Sequence, residues 1–320
     1  MAWLRAAATR TVAPPVQPGL LIDDVGARLL VGGLGALSKT TGVLPRVAVG
    51  EPMCTLAGTL WYLGAPAARA AVRDNLQHIT GRMPSNRLVR EVFVHGALNY
   101  WDTLAITHFS REQLLSIVDM HGREHIDSAL AAGRGVILAG AHLGSVSLVG
   151  QIVPALGYSM TALVEQITPQ RLYDFFAGQR KRFGLTVLPA GGAAVRALLA
   201  ALRRNEVLGL VTDRDVTGTG PTVLFFDATT QFADGPAALA LRTGAPILPA
   251  VVVRKPKGRF DAIIEPPVEF IASDDHRQNV MELTQSMAKR LQYHIGTHPE
   301  QWTVFQKRWP RPHRAVSSAG

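Results

Sequence analysis

His142 is the residue whose type and position in this sequence best suit acid–base chemistry. It follows residues 135–141, a run of small and β-branched residues that predicts a strand, and a helical pattern begins three residues later. Open α/β folds bind ligands at the carboxyl ends of parallel strands. An imidazole at this point could therefore accept a proton from a substrate. The structural alternative is a core histidine hydrogen-bonded to the backbone.

Two hydroxyl groups, at Ser145 and Ser147, follow His142 closely. Residues 144–148 read Gly-Ser-Val-Ser-Leu, which is not the Gly-x-Ser-x-Gly turn that presents the nucleophile of hydrolases. We therefore predict that Ser145 caps the following helix. Near a reacting histidine, both hydroxyls are candidate substrate contacts.

Charged residues end two other apolar runs. Glu165 follows residues 161–164, whereas Asp213, Arg214 and Asp215 follow residues 207–212. Asp-x-Asp could hold the metal of a glycosyltransferase, but hard cations require more oxygen ligands, so we predict no metal. Arg214 could pair with a phosphate group or with a neighbouring acid. No glycine-rich dinucleotide or Walker motif follows a strand, so we predict no cofactor.

A sheet must position these residues, and the hydrophobic pattern predicts one. Apolar runs at residues 115–119, 135–141, 159–164, 186–188, 207–212, 247–253 and 260–264 indicate strands. Helical patterns lie at residues 67–78, 85–108, 125–132, 145–156, 169–183, 193–204, 235–243 and 274–297. This alternation predicts an α/β fold with a mostly parallel sheet flanked by helices and an N-terminal helical segment. We divide the chain into an N-terminal lead-in with an apolar helix (1–50), a main domain (51–310) and a basic flexible tail (311–320).

The basic composition favours a polyanionic partner. The formal net charge is +9 and the isoelectric point is about 10.2, which suits nucleic acid or an acidic membrane. There is no RNP-like or zinc-finger spacing, and the mean hydropathy is +0.14, so we favour a membrane over nucleic acid. Residues 29–38 and 52–68 are apolar but too short or too rich in Gly and Pro to span a bilayer, which predicts surface attachment. Residues 171–182, Trp302, Phe305 and Trp309 are further candidate membrane contacts.

Cys54 is the only cysteine in the sequence, so an internal disulfide bond is excluded. It has no basic neighbours that would activate a thiolate, so we predict that it packs as an apolar side chain. His121 and His125 have a spacing that zinc sites use, but no third ligand is apparent. We predict a turn leading into a helix there.

Three groups of segments together resemble the bacterial lysophospholipid acyltransferase-like family, in its lipid A and phosphatidylinositol mannoside acyltransferase group. The first is Glu-His-Ile-Asp-Ser-Ala-Leu (124–130), Gly-Arg-Gly-Val-Ile-Leu (133–138) and His-Leu-Gly-Ser (142–145). The second is Asp-Arg-Asp-Val-Thr-Gly-Thr-Gly (213–220), Phe-Phe (225–226) and Gly-Pro-Ala-Ala-Leu-Ala-Leu-Arg-Thr-Gly-Ala (235–245). The third is His-Pro-Glu-Gln-Trp (298–302) and Lys-Arg-Trp (307–309). The resemblance covers residues 66–310.

This resemblance implies a glycerolipid-acyltransferase-like fold and an O-acyltransferase. The implied reaction moves a fatty acyl group from acyl-CoA or acyl carrier protein to a hydroxyl of a glycolipid or lysolipid. It implies a peripheral or monotopic protein at the cytoplasmic face of the plasma membrane. His142 would be the general base, while Ser145, Ser147, Asp213, Arg214, Asp215 and Arg242 would contact substrate.

The chain departs from the family motif at one position. The family has Asp or Glu at the fifth position after the histidine, whereas this chain has Ser147. Glu165 is the leading candidate to substitute as the carboxylate that orients the ring; the structural alternative is an acid favoured by the dipole at the N-terminus of the following helix. A degenerate member that binds lipid or acyl carrier without turnover is the alternative, and a basic nucleic-acid-binding protein is a third hypothesis.

Overall fold

A seven-stranded sheet lies at the centre of the computed structural model, which describes residues 24–215, 218 and 220–309. The strands are β1 (Val118–His121), β2 (Val136–Gly140), β3 (Met160–Val164), β4 (Thr186–Pro189), β5 (Val207–Val211), β6 (Thr222–Phe225), β7 (Ala228–Gln231), β8 (Ile247–Arg254) and β9 (Phe260–Ile264). The order across the sheet is β1-β9-β8-β2-β5-β3-β4, and only the β8–β9 pair is antiparallel. The mostly parallel sheet predicted from the sequence is therefore confirmed.

Helices cover both faces of this sheet, and further helices precede it in the chain. They are α1 (Asp24–Val43), α2 (Glu51–Gly64), α3 (Pro66–Thr80), α4 (Asn86–Ala105), α5 (Arg111–Ser116), α6 (Arg123–Ala131), α7 (Val146–Ala155), α8 (Gln170–Gln179), α9 (Ala194–Arg203), α10 (Gly235–Thr243) and α11 (His276–Thr297). Parallel strands buried on both faces read as continuous apolar runs, and every residue of β8 is buried. That burial explains why continuous apolar runs in the sequence predicted the positions of the strands.

Capping residues set several helix boundaries. The Ser85 side chain accepts a hydrogen bond from the Leu88 N–H at the start of α4. Ser110 and Gln113 form a reciprocal capping box that starts α5. Because of this box, the run predicted as a strand at residues 115–119 is helical up to Ser116, and β1 begins only at Val118.

The β6–β7 hairpin is an element that the sequence did not predict. Its turn residues, Phe226 and Asp227, have φ angles of 49° and 58°. Two-residue hairpin turns with positive φ usually contain Asn-Gly or Asp-Gly, and that signal is missing here. The hairpin instead depends on tertiary packing, because Phe225 is buried and stacks against Trp309.

The helix α4 links the N-terminal helices to the sheet. It contacts α1 and α2, and it also contacts α7 and the short turn Pro299–Gln301. The Asp102 carboxylate of α4 is buried and binds the Arg254 Nη2 atom at 2.6 Å and the Arg46 Nη2 atom at 3.1 Å. This cluster joins α4, the end of β8 and the turn after α1. The division at residue 50 stays a prediction, and the basic tail at 311–320 lies outside the described residues.

Two further sequence predictions concern membranes and Cys54. Across residues 24–215, 218 and 220–309, no helix is long and apolar enough to cross a bilayer. Cys54 is buried between α2 and α4, and this burial raises the pKa of its thiol to about 12. The side chain thus packs as the sequence predicted.

Candidate functional site

His142 and Asp213 meet because their strands are neighbours in the sheet. The parallel strands β2 and β5 pair with Gly140 opposite Val211, and each candidate residue lies two positions further along. The Thr212 N–H continues the pairing by donating to the Gly140 carbonyl at 2.9 Å. As a result, the His142 Nδ1 atom lies 2.7 Å from the Asp213 Oδ1 atom.

The Asp213 carboxylate is fully buried and saturated with donors. Its Oδ2 atom accepts from the His142 backbone N–H at 2.9 Å and from the Trp302 indole N–H at 2.7 Å. Burial alone would raise the pKa of Asp213, but the charge of His142 and these hydrogen bonds lower it to about 2. The carboxylate is therefore ionised at neutral pH.

An ionised Asp213 determines which nitrogen of His142 carries the proton. A carboxylate can only accept hydrogen bonds, so Nδ1 must donate to it. The neutral ring then has its lone pair on Nε2, for which the described part of the chain provides no hydrogen-bond partner. The side chain of His142 is 31% exposed, so Nε2 is accessible to a substrate. A neutral ring held in this way can accept a proton through Nε2.

The backbone around His142 is held in a fixed position. Its carbonyl accepts from the Thr303 N–H at 2.8 Å, and the Gly144 N–H donates to the Gln301 carbonyl at 2.9 Å. Gly144 has a φ of +60°, and a Cβ there would lie 1.9 Å from the Val252 carbonyl oxygen. Only glycine fits, since the backbone approaches β8 this closely.

The prediction that Glu165 orients the His142 ring is wrong, because Glu165 lies too far from that ring. Glu165 follows β3, and β5 lies between β3 and β2. Adjacent strands are ~4.8 Å apart, so Glu165 is displaced from His142 by two strand spacings. Its Oε2 atom instead lies 3.4 Å from the Arg214 Nη1 atom. Asp213, which we had predicted as a substrate contact, holds the ring.

Ser147 bonds α7 to α4, whereas the Ser145 hydroxyl is buried without a hydrogen-bond partner in the described part of the chain. The Ser147 hydroxyl lies 2.7 Å from that of Thr103, which donates its own hydrogen to the Asn99 carbonyl, so Ser147 is the donor. The Ser145 hydroxyl is fully buried near Asp102. Burial would raise the pKa of Asp102, but the charges of Arg254 and Arg46 lower it, and the Ser145 hydroxyl makes the smallest contribution in the same direction. Ser145 therefore cannot contact substrate in this conformation, and its side chain does not cap α7.

Two of the remaining candidates lie beside the His142–Asp213 pair, here called the dyad, and one does not. Arg214 follows Asp213 directly, and the Asp215 Oδ2 atom accepts from the Gly220 N–H at 2.7 Å. Arg242 is exposed in the last turn of α10. This turn is ~10 Å along the axis from Gly235, which starts the helix near Thr212. That Arg242 contacts substrate therefore stays a prediction, and its position away from His142 and Asp213 adds no support to it.

The C-terminal tryptophans are structural residues rather than membrane contacts. Trp302 and Trp309 are buried in the main core, and Phe305 packs against Trp61 and Phe93. The role of Trp302 as a donor to Asp213 was missed from the sequence. The His-Pro-Glu-Gln-Trp segment was the signal that could have pointed to it.

No metal site is apparent in the part of the chain that the structure describes. There, no group of three or more His, Cys, Asp or Glu side chains is arranged to hold a metal ion. His121 lies 3.6 Å from Asp261, and Gly122, with a φ of 79°, forms the turn into α6. The prediction of a turn at this position is confirmed.

Comparisons with known proteins identify the family. The family model described as bacterial lipid A biosynthesis acyltransferase matches residues 33–311. A phosphatidylinositol mannoside acyltransferase of Mycobacterium tuberculosis is 30% identical over 276 residues, which cover 83% of this chain and 84% of that protein. One from Mycolicibacterium smegmatis is 30% identical over 74% of this chain and 78% of its own length. A lipid A biosynthesis palmitoleoyltransferase of Escherichia coli is 24% identical over 60% of this chain and 61% of its own length. The chain therefore belongs to the bacterial lipid A biosynthesis acyltransferase family.

Proposed function

We propose that this protein transfers a fatty acyl group from a thioester donor to a hydroxyl of a membrane glycolipid or lysolipid, with His142 as the general base. The observation that carries the proposal is the His142–Asp213 pair at the carboxyl edge of the sheet, with Nε2 accessible. The names of the relatives support a glycolipid acceptor. The donor would be acyl-CoA or acyl carrier protein, and neither requires a bound cofactor.

The proposed reaction needs one proton acceptor and no covalent enzyme intermediate. Nε2 of His142 takes the proton of the acceptor hydroxyl as its oxygen attacks the thioester carbonyl. The tetrahedral intermediate then expels the thiolate, which receives the proton back from the imidazolium. Asp213 holds the ring through Nδ1 and stabilises its cationic form. General-base assistance of this kind is worth ~10²–10⁴-fold in rate.

Arg214 is the residue we propose for recognition of an anionic group near the dyad. Its guanidinium lies 3.4 Å from Glu165, a distance at which the ion pair is loose. The Glu165 side chain is 38% exposed, so water screens the pair. A phosphate of the donor or of the acceptor lipid could replace this carboxylate. Asp215, on the same loop, would then contact an acceptor hydroxyl.

We further propose that the protein acts as a peripheral or monotopic enzyme at the cytoplasmic face of the plasma membrane. A net charge of +9 suits an anionic lipid surface. Binding to nucleic acid, the hypothesis that the charge alone also allowed, has no further observation in its favour.

The degenerate alternative was motivated by Ser147, and the position of Asp213 weakens that motivation. The charge that the family motif would place at residue 147 is supplied to the ring from β5. The dyad thus favours turnover over simple lipid binding.

The test is acyl transfer by the purified protein from radiolabelled acyl-CoA or acyl carrier protein to a panel of glycolipids. We expect transfer by the wild type, loss of transfer in His142→Ala, and wild-type rates in His276→Ala, which changes an exposed histidine at the start of α11. Equal rates in His142→Ala and the wild type would overturn the assignment. Lipid binding without any transfer by the wild type would favour the degenerate alternative.

A further inference from the structure

The surface of α2 that faces away from the protein is apolar. Leu56, Leu60 and Leu63 lie on one side of this helix and are 63%, 60% and 61% exposed, and Met53 beside them is also exposed. A helix that covers a soluble protein normally presents charged residues to water. Residues 52–68 contain no charged residue. The helix therefore carries apolar residues on the side that contacts solvent, where polar residues would be expected.

The inner side of α2 shows that this orientation is set by close packing. Cys54 and Gly58 are buried against α4. A Cβ at Gly58 would lie 2.5 Å from the Val94 Cα atom, so the two helix backbones are nearly in contact. Rotation of α2 would replace this glycine with a larger residue. The leucines consequently have to point outward.

A cationic and an aromatic side chain lie at the C-terminal end of this apolar surface. The Arg69 guanidinium packs 5.2 Å from the centre of the Tyr62 ring, and its Nη1 atom donates to the Tyr62 carbonyl at 3.0 Å. Apolar residues bordered by cations and an aromatic ring are typical of helices that lie in a lipid interface.

We infer that the outward side of α2, formed by Met53, Leu56, Leu60 and Leu63, inserts into an anionic lipid bilayer. This inference rests on the proposed function, because both the acceptor and the product are then membrane lipids. The excess of positive charge complements an anionic surface. A second copy of the chain would bring the same cations together, so we favour the bilayer.

This surface is connected to the site through α4. The same helix that binds α2 at Gly58 contacts the catalytic segment at Asn99, whose side chain donates to the Thr303 hydroxyl at 3.2 Å, and at Thr103 through Ser147. Only one helix therefore separates the inserted face from the segment that bears His142. An enzyme held in this way would work close to the lipid surface.

The test compares binding to vesicles of phosphatidylcholine with and without phosphatidylglycerol. The double variant Leu56→Glu/Leu60→Glu should bind anionic vesicles at least about tenfold more weakly than the wild type, since each leucine contributes its apolar area. The matched control is Leu224→Glu, which changes a leucine that is 54% exposed on the β6–β7 hairpin. This control should bind like the wild type. Unchanged binding by the double variant would overturn the inference.

A label at the surface gives a second readout that does not depend on a charged substitution. Cys54 is buried and its pKa is raised to about 12, so a fluorophore should attach selectively to Leu60→Cys. We expect a blue shift and quenching by spin-labelled lipid at this position, and neither at Leu224→Cys. Absence of both at position 60 would contradict insertion. A wild type that is dimeric, with a monomeric double variant, would instead assign the surface to self-association.

Activity separates failure of this inference from failure of the proposed function. With substrates dispersed in detergent micelles, Leu56→Glu/Leu60→Glu should keep its acyl transfer, whereas His142→Ala should lose transfer and still bind vesicles. A double variant that loses transfer in micelles while keeping vesicle binding would contradict the membrane role of α2.

Discussion

Replacement of Asp213 by asparagine should invert the tautomer of the His142 ring. The Oδ2 atom of Asp213 accepts from two donors held in place, the backbone N–H of His142 and the Trp302 indole. In the variant, the amide oxygen must take this position, because an NH2 group there would face two donors. The NH2 group then points to Nδ1, which must accept, and the ring proton moves to Nε2. No lone pair remains to receive the proton of the acceptor.

The expected loss in acyl transfer is ~10²–10⁴-fold. The lower limit is the worth of general-base help, and the upper limit is the effect of the same substitution in the serine protease triad. Initial rates with radiolabelled acyl-CoA measure it, with Asp274→Asn, an exposed aspartate before α11, as the control. Nitrogen-15 NMR of the imidazole reports the tautomer directly. A variant that keeps most of the wild-type rate, or whose neutral ring still carries its proton on Nδ1, would refute this reasoning.

The low pKa of Asp213 also makes a stability prediction. Because the folded-state pKa is about 2 and the ordinary value is 3.8, the unfolded chain binds the proton more tightly. The stabilisation from this carboxylate is therefore complete above about pH 4 and is lost as the pH falls towards 2. It amounts to about 2 kcal/mol. Acid unfolding of the wild type, compared with Asp213→Asn, measures it, and equal acid sensitivity would argue against the buried, donor-saturated carboxylate.

Three further substitutions probe the supports of the site. Ser147→Asp should not raise acyl transfer, since Asp213 already holds the ring and the Thr103 hydroxyl has no free hydrogen for a new carboxylate; a clear gain in rate would mean that the ring needs the family acid. Gly144→Ala should abolish transfer and lower the melting temperature, because its Cβ would lie 1.9 Å from a carbonyl oxygen of β8; a wild-type melting temperature would contradict that contact. Asp102→Asn should reduce the free energy of unfolding by about 3–5 kcal/mol, as two buried guanidinium groups lose their counter-ion; denaturant titration measures this change, and a loss below 1 kcal/mol would count against it.

The elements near the site were predictable where local signals are strong. The predicted and observed bounds of α10 and β9 are identical, and those of β2 and α7 differ by one residue at each end. These segments combine a continuous apolar or periodic pattern with glycine or serine at their ends. The β6–β7 hairpin was missed since its turn pair, Phe226-Asp227, is neither Asn-Gly nor Asp-Gly.

The partner of the histidine was not predictable, although every residue involved had been singled out. Glu165 and Asp213 both follow strands that end at the same edge of the sheet, so the sequence makes them equivalent candidates. Their distances from His142 depend on whether β3 or β5 lies next to β2, and that order is decided by how the crossover helices pack. In the same way, the sequence alone does not show whether Trp302 lies on the surface or in the core.

The sequence by itself determined the α/β class, the position of His142 at the end of a strand and the family to which the chain belongs. These features depend on local pattern and on short motifs, which can be read residue by residue. Only the tertiary structure decided that Asp213 is the carboxylate of the dyad, that Ser147 bonds to α4, and that the leucines of α2 face outward. Each of these outcomes depends on contacts between segments far apart in the chain, where strand order and helix orientation, rather than residue type, select the partner.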